Sequence, residues 1–184
     1  MIKVTETKLK GCFVLEPIIH EDERGYFFES FNQNDFCNAI GQEITFVQDN
    51  HSLSKKGVLR GLHFQKGHHA QAKLVSVLQG RIQDVVVDLR KDSATFGQHL
   101  SMELDSENKR QLFIPRGFAH GFLTLSESAQ VLYKCDNYYF RDMEGGIRFD
   151  DNELSIDWDI ESVELSISHK DSQLSSFEVF RFKK

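Results

Sequence analysis

A histidine and an arginine lie close together in an apolar, strand-like stretch that glycines interrupt, residues 57–65 (GVLRGLHFQ). An imidazole such as that of His63 is the side chain that exchanges protons most readily near neutral pH. The Arg60 guanidinium binds anionic groups through directed hydrogen bonds. Either residue alone is more often a core histidine or a salt-bridge partner. Chemistry is indicated only if more polar residues share the same interior.

Strand periodicity predicts which polar residues share that interior. Successive residues of a strand point to opposite faces, so a polar residue lies on the same face as the apolar residues two positions away. Four more polar residues alternate with apolar neighbours in this way, and we predict that they meet inside a barrel. They are Lys73, Asp84, His120 and Tyr133.

Arg60 and His63 differ in strand parity. His63 falls on the same face as Leu59 and Gln65, whereas Arg60 falls on the opposite face. Both can face one pocket only if the strand bulges or bends near Gly61, where glycine permits the required backbone.

Short segments of β-forming residues separated by turn residues run through most of the chain, which predicts an all-β sandwich or barrel. One helix is predicted over Asn34–Ile40, with Asn32 or Asn34 as its N-cap and Gly41 after its end. The predicted strands are Lys3–Thr7, Cys12–Glu16, Tyr26–Phe31, Ile44–Asn50, Val58–Gln65, Lys73–Leu78, Arg81–Leu89, His99–Leu104, Arg110–Ile114, Ala119–Leu125 and Gln130–Tyr138.

Composition excludes several classes of protein. The length of 184 residues predicts a single domain over 1–184, and the formal charge of −6 argues against nucleic acid as a partner. No signal peptide or membrane span is recognisable, so we expect a cytoplasmic protein with no membrane partner. The cysteines are odd in number and far apart, which fits reduced thiols. They are Cys12, Cys37 and Cys135.

Residues 115–121 (PRGFAHG) have the P-x-G-x-x-H spacing of the second cupin motif, whose histidine points into a barrel. The first cupin motif supplies two more histidines and a glutamate. Here His63 is followed by Gln65 in place of the second histidine, and no glutamate follows at the right place. Two histidines are too few for a transition metal. We predict no metal site, with His68 and His69 in an exposed loop.

The chain resembles the dTDP-4-dehydrorhamnose 3,5-epimerases, a metal-free cupin family, over nearly its whole length. The resemblance implies a cupin-type jelly-roll β-barrel with an N-terminal strand extension and few short helices. The segments that carry it are 22–29, 46–52, 58–65, 95–98, 106–112, 114–122, 132–134, 136–139 and 168–171.

The resemblance implies epimerisation of dTDP-4-dehydro-6-deoxy-D-glucose at C3 and C5 to dTDP-4-dehydro-L-rhamnose, in dTDP-L-rhamnose biosynthesis and without a cofactor. A ketone at C4 acidifies the hydrogens on both carbons. Inversion therefore needs a base on one face, an acid on the other and a donor for the enolate oxygen. By resemblance His63 is the base, Asp171 is hydrogen-bonded to it, Tyr133 is the acid and Lys73 stabilises the enolate.

The resemblance also implies the substrate-binding residues and the partner. Tyr139 would stack on the thymine, and His120 would line the site. The family is homodimeric, with the N-terminal segment reaching into the partner's site. Asp84 and His51 are left without a role. The implied binding residues are Arg24, Glu29, Gln48, Asn50, Arg60, His120, Tyr139, Glu144 and Lys170.

Other interpretations remain open. By sequence pattern alone, Tyr133 is a core aromatic, Lys73 a surface residue and Asp171 the cap of a helix over 172–177. The chain could also invert one carbon only or be a sugar ketoisomerase. A metal-dependent or non-catalytic cupin is the third class, because a fold does not determine a function.

Overall fold

The computed structural model describes residues 2–182. The helices are α1 (Gln33–Ile40), α2 (His169–Ser172) and α3 (Phe177–Phe182). The strands are β1 (Lys3–Glu6), β2 (Phe13–Glu16), β3 (His20–Asp22), β4 (Gly25–Phe27), β5 (Gln48–Lys55), β6 (Val58–Gln65), β7 (Lys73–Gln79), β8 (Arg81–Asp88), β9 (His99–Asp105), β10 (Gln111–Ile114), β11 (Phe118–Thr124), β12 (Ser128–Cys135), β13 (Glu144–Gly146) and β14 (Ser166–Ile167).

Two antiparallel sheets form the jelly roll that the family resemblance implies. The first sheet has the strand order β1-β2-β10-β7-β12-β5 and the second has the order β13-β6-β11-β8-β9. β14 runs parallel to β6 at its outer end, and β3 and β4 form a separate hairpin. Within residues 2–182, no helix is long and apolar enough to cross a membrane.

The inner core lies between the sheets. Val75 and Val131 from the first sheet pack with Ile82, Val86 and Phe122 from the second. These are the apolar neighbours that strand parity assigned to Lys73, Tyr133, Asp84 and His120, so the predicted interior is confirmed. Burying apolar residues here provides the main driving force for folding, and it also brings the polar residues of both sheets together.

Each sheet has a second, outer layer. The helix α1 covers the first sheet, where Phe36 packs with Leu74 and Phe113. Asn32 caps this helix by accepting from two backbone amides, and Gly41 ends it with a φ of 69°. The chain beyond β13 covers the second sheet in an outer core that contains Trp158 and Phe177.

Three strand predictions are wrong at their ends by more than one residue. The predicted strand Gln130–Tyr138 is observed as Ser128–Cys135. The predicted strand Tyr26–Phe31 ends at Phe27, which is the last residue that pairs with β3, and Phe31 packs instead on Phe36 and Phe46. The predicted strand Ile44–Asn50 begins only at Gln48 and continues to Lys55. Its partner β12 ends opposite Gln48, so residues before it have no ladder to join. Pairing with a neighbour decided these boundaries, not the local sequence.

Candidate active site

A bulge in β6 brings the arginine and histidine of 57–65 to one face. On the neighbouring strand β11, His120 lies opposite His63 and Phe122 lies opposite Arg60, with a shift of register between them. Three steps along β6 therefore match two along β11. Gly61, at the bulge, has a φ of +121°. The bend that the sequence required near Gly61 is present, and both side chains line the same pocket.

Glycine is required at the bulge because two backbones touch there. A Cβ on Gly61 would lie 2.6 Å from the Cα of Gly121 and 2.8 Å from the carbonyl oxygen of His120. Real Cβ atoms do not approach backbone so closely, and a side chain at this φ is strained as well. Any larger residue would separate β6 from β11 beside His63.

The bulge also corrects one prediction. Leu59 and Leu62 pack into the outer core, while Arg60 and His63 line the pocket. The expectation that His63 shares the face of Leu59 was wrong, because simple alternation does not continue through a bulge.

The pocket has a volume of about 530 Å³ and opens between the two sheets. β6 and β11 of the second sheet contribute two imidazoles, and β7 and β12 of the first sheet contribute an amine and a phenol. The segment from β14 to α2 completes the wall. The residues predicted from the sequence that line this pocket are Arg60, His63, Lys73, His120, Tyr133, Lys170 and Asp171.

His63 is paired with a buried carboxylate. Its Nε2 lies 2.7 Å from Oδ1 of Asp171, and the backbone N–H of Gly61 donates to Oδ2 at 3.2 Å. The helix α2 holds Asp171 in place, since Ser168 caps it by accepting from the Asp171 backbone N–H. Asp171 therefore lies inside a helix and does not cap one, and no helix runs over 172–177.

The charges around Asp171 decide which nitrogen of His63 is basic. Burial opposes ionisation of Asp171, but the hydrogen bond and charge of His63, the Gly61 N–H and Lys170 outweigh it and lower its pKa. An ionised carboxylate only accepts hydrogen bonds, so Nε2 of His63 carries the proton that it shares with Asp171. The other ring nitrogen, Nδ1, is then the basic one.

An amine and a phenol from the other sheet share the pocket. The Lys73 Nζ lies 5.6 Å from the ring centroid of Tyr133, close enough for a cation–π contact. Burial lowers the pKa of Lys73 and raises the pKa of Tyr133. The phenol of Tyr133 is thus protonated at neutral pH and is able to donate its proton.

A second histidine–carboxylate pair lies beside the first. Nε2 of His120 lies 2.8 Å from Oδ2 of Asp84, which is fully buried. Asp84 had no assigned role in the sequence analysis. Its alternation with Ile82 and Val86 was the available signal, because a carboxylate on a core-facing position must have a partner.

Five of the predicted substrate-binding residues form one hydrogen-bonded chain. The hydroxyl of Tyr139 donates to Glu144 at 2.7 Å, and Lys170 pairs with the other oxygen of Glu144 at 2.6 Å. The backbone N–H of Tyr139 donates to Gln48 at 2.9 Å, and the Gln48 amide donates to Asn50 at 3.0 Å. Because Lys170 also lines the pocket, this chain extends the site beyond it.

Arg60 is held by a residue that the sequence did not single out. Its Nε donates to the hydroxyl of Ser54 at 3.0 Å. Ser54 is buried on β5. Strand parity places Ser54 on the same face as Ser52, which lines the pocket. That shared face was a weak signal in the sequence.

Arg24 and Glu29 do not line this pocket. Arg24 lies on the exposed turn between β3 and β4 and pairs with Asp22. Glu29 lines a different hollow of about 340 Å³, together with Phe27 and residues of α1. Neither residue is brought to His63 within one chain.

The histidines considered for a metal lie apart from the pocket. His68 and His69 form a short 3₁₀ turn, not an irregular loop. His68 is exposed, but His69 is half-buried because its ring stacks on Phe140 with 4.6 Å between centroids. Within residues 2–182, no group of three or more His, Cys, Asp or Glu residues is placed to hold a metal ion.

The fold and the site together define a jelly-roll protein whose interior carries an imidazole–carboxylate pair on one wall of a pocket and an amine and a phenol on the other. Sequence comparison agrees: the family dTDP-4-dehydrorhamnose 3,5-epimerase matches residues 6–178. The dTDP-4-dehydrorhamnose 3,5-epimerase of Salmonella typhimurium is 56% identical over 158 residues, 86% of each chain. This chain belongs to the dTDP-4-dehydrorhamnose 3,5-epimerase family.

Two crystal structures are also similar to it. That of dTDP-4-dehydrorhamnose 3,5-epimerase from Elizabethkingia anophelis has a TM-score of 0.93 at 53% identity and covers 97% of each chain. The dTDP-6-deoxy-D-glucose-3,5-epimerase from Legionella pneumophila, in complex with dTDP-4-keto-L-rhamnose, has a TM-score of 0.93 at 43% identity. That match covers 100% of this chain and 95% of the other.

Proposed function

We propose that this protein epimerises dTDP-4-dehydro-6-deoxy-D-glucose at C3 and C5 to dTDP-4-dehydro-L-rhamnose. The observation that carries this proposal is the His63–Asp171 pair, which opens into one pocket with Lys73 and Tyr133 of the opposite sheet. A relative of known structure binds dTDP-4-keto-L-rhamnose in the same fold. Base and acid on opposed walls are what inversion at carbon needs.

The proposed reaction uses no group beyond these side chains. Nδ1 of His63 removes the proton from C3 or C5, and the C–H electron pair moves into an enolate whose charge lies on the C4 oxygen. Lys73 stabilises that oxygen. Tyr133 then gives its hydroxyl proton to the opposite face of the carbon. Solvent returns a proton to the tyrosinate and removes one from the imidazolium, which closes the cycle.

The remaining predicted residues suit a nucleotide sugar. Arg60 and Lys170 carry the positive charge that a diphosphate requires. The ring of Tyr139 is 48% exposed while its hydroxyl is held by Glu144, so a face is free for thymine to stack on. The residues proposed to bind substrate within one protomer are Gln48, Asn50, Arg60, His120, Tyr139, Glu144 and Lys170.

We further propose a homodimer in which Arg24 and Glu29 serve the partner's site. Two aromatic residues of the same hairpin support it, since Tyr26 is 58% exposed and Phe27 is 72% exposed. Large apolar side chains grouped on a protruding hairpin are typical of a surface that another chain covers.

Replacing Arg24 by alanine tests this arrangement. We expect dTDP to bind about tenfold more weakly or worse, because one charged hydrogen bond contributes about 1.5–3 kcal/mol. Isothermal titration calorimetry measures the change. Arg148→Ala is the matched control, since Arg148 is also exposed and paired with an aspartate two residues away. Equal affinity in the Arg24 variant and the control would remove Arg24 from the site.

We place this enzyme in the cytoplasm, as a single domain over 1–184. Its cysteines support this, because a reducing compartment keeps thiols free. All three are free and buried: Cys12, Cys37 and Cys135.

Proton NMR of dTDP-4-dehydro-6-deoxy-D-glucose in heavy water tests the function. We expect deuterium to enter at both C3 and C5 and the L-rhamno product to form, with the same rate after exhaustive treatment with a chelator. Exchange at one carbon would indicate a single-site epimerase or a ketoisomerase. Exchange at neither carbon, or a rate that depends on added metal, would contradict the proposal.

A further inference from the structure

Lys73 has an unusual environment for an ammonium group. It is half-buried, and its amine contacts the face of Tyr133 but makes no hydrogen bond to the residues that the structure describes. An ammonium removed from water without partners loses its proton more readily. Lys73 stabilises an enolate oxygen only while it is protonated. A negative charge that faces it from another strand favours that form.

Asp84 has the complementary feature. It is fully buried in the inner core, where Oδ2 contacts His120 at 2.8 Å. Its other oxygen, Oδ1, is also buried and has no hydrogen-bond partner among residues 2–182. A carboxylate left open in a medium of low dielectric acts strongly on nearby cations. Its negative charge favours the protonated form of Lys73.

We propose that Asp84 is a positioning residue whose carboxylate is the buried counter-charge that keeps Lys73 protonated and fixes the ring of His120 against the pocket. The proposal rests on the proposed function, in which Lys73 stabilises the enolate. It assigns a task to a fully buried carboxylate of β8 that the mechanism otherwise leaves unused.

The groups that face Lys73 from the first sheet carry no charge near neutral pH. Tyr133 and Cys135 lie on β12, beside β7, and burial raises the pKa of both. Both therefore stay protonated. Their dipoles contribute, but they do not balance an ammonium.

Two carboxylates act on Lys73 from the second sheet. Glu144, on β13, is already paired with Lys170 at 2.6 Å. Asp84 has no such cation bound to it, only the imidazole of His120. The Cys12 thiol also faces Asp84, and burial raises its pKa to about 12, so it stays neutral. Of these two carboxylates, Asp84 is thus the one that is not paired with a lysine or an arginine.

The test is the pH dependence of turnover in Asp84→Asn, measured with the heavy-water NMR assay. Because Asp84 favours the protonated lysine, its loss lowers the pKa of Lys73. We expect the alkaline limb of the kcat profile to move down by about one pH unit. At a pH above that limb, kcat falls about tenfold, while KM stays within about twofold.

Asp88→Asn is the matched control. Asp88 is buried on the same strand, but its carboxylate accepts hydrogen bonds from Arg90, Ser93 and Thr95. We expect this variant to lose stability and to keep the native alkaline limb. A folded Asp84→Asn enzyme with an unmoved limb overturns the proposal.

A measurement on the native enzyme keeps the proposal testable if Asp84→Asn does not fold. The ¹³Cε chemical shift of Lys73 reports whether its amine is protonated, and we expect the ammonium form at neutral pH. A neutral amine at that pH overturns the proposal. Failure of the proposed function gives a different result, since the native enzyme would then exchange deuterium at one carbon or at neither, whatever the pH.

Discussion

Replacing His63 by alanine is expected to slow deuterium entry at both C3 and C5 by about 10²–10⁴-fold, the usual contribution of a general base. The effect is expected at both carbons, because Nδ1 of His63 is the proposed base for each. Binding of dTDP should be nearly unchanged, since the nucleotide is proposed to lie against Tyr139 and not against the imidazole. The heavy-water NMR assay and calorimetry measure the two effects separately.

Two further variants make this result interpretable. His63→Ala leaves the buried carboxylate of Asp171 without its partner at 2.7 Å, which costs stability. His63→Asn keeps a donor for Asp171 while removing the base, so it should be as inactive and more stable. His69→Ala, a histidine that stacks on Phe140 outside the pocket, should exchange at the native rate. Native exchange rates in both His63 variants would show that another group is the base.

The all-β class was predictable because it follows from local pattern. A run of β-forming residues predicted the strand β6 with its observed ends, Val58 and Gln65. Alternation of apolar and polar residues placed the side chains of β7, β8, β11 and β12 on the correct faces. The boundaries near Phe31 and Gln48 failed because the neighbouring strand decides them, and a single segment does not contain that information.

The site was predictable in part. Strand parity predicted that Lys73, His120 and Tyr133 face the same barrel interior. It also predicted that Arg60 and His63 lie on opposite faces of their strand. The bulge that joins these two residues depends on how β6 pairs with β11. Local sequence offers only a glycine as a hint.

Long-range partners were beyond pattern analysis. Asp171 is 108 residues away from His63 in the chain, and nothing in the spacing of either residue predicts their contact. Family resemblance supplied that pair. The same resemblance supplied Arg24 and Glu29, whose proposed place in a partner's site no single chain can display. Asp84 remained unassigned because both its partner and its unpaired oxygen appear only in three dimensions.

Replacing Tyr133 by phenylalanine is expected to slow formation of the L-rhamno product by about 10²–10⁴-fold, while the base remains in place. His63 should still remove the protons from C3 and C5 and return deuterium to the same face. Deuterium should therefore appear in the starting sugar with its configuration retained. NMR distinguishes the two fates, because exchange removes a proton signal and inversion changes the coupling constants of its neighbours.

This separation of exchange from inversion is what distinguishes an acid from a packing residue. Tyr133→Phe removes one oxygen and keeps the ring against Lys73, so a purely structural role predicts nearly native inversion. Tyr138→Phe is the control, since Tyr138 is 65% exposed and does not line the pocket. If exchange and inversion fall together in Tyr133→Phe, the phenol acts before the enolate forms. If neither falls, water protonates the carbon and the second face of the site needs no side-chain acid.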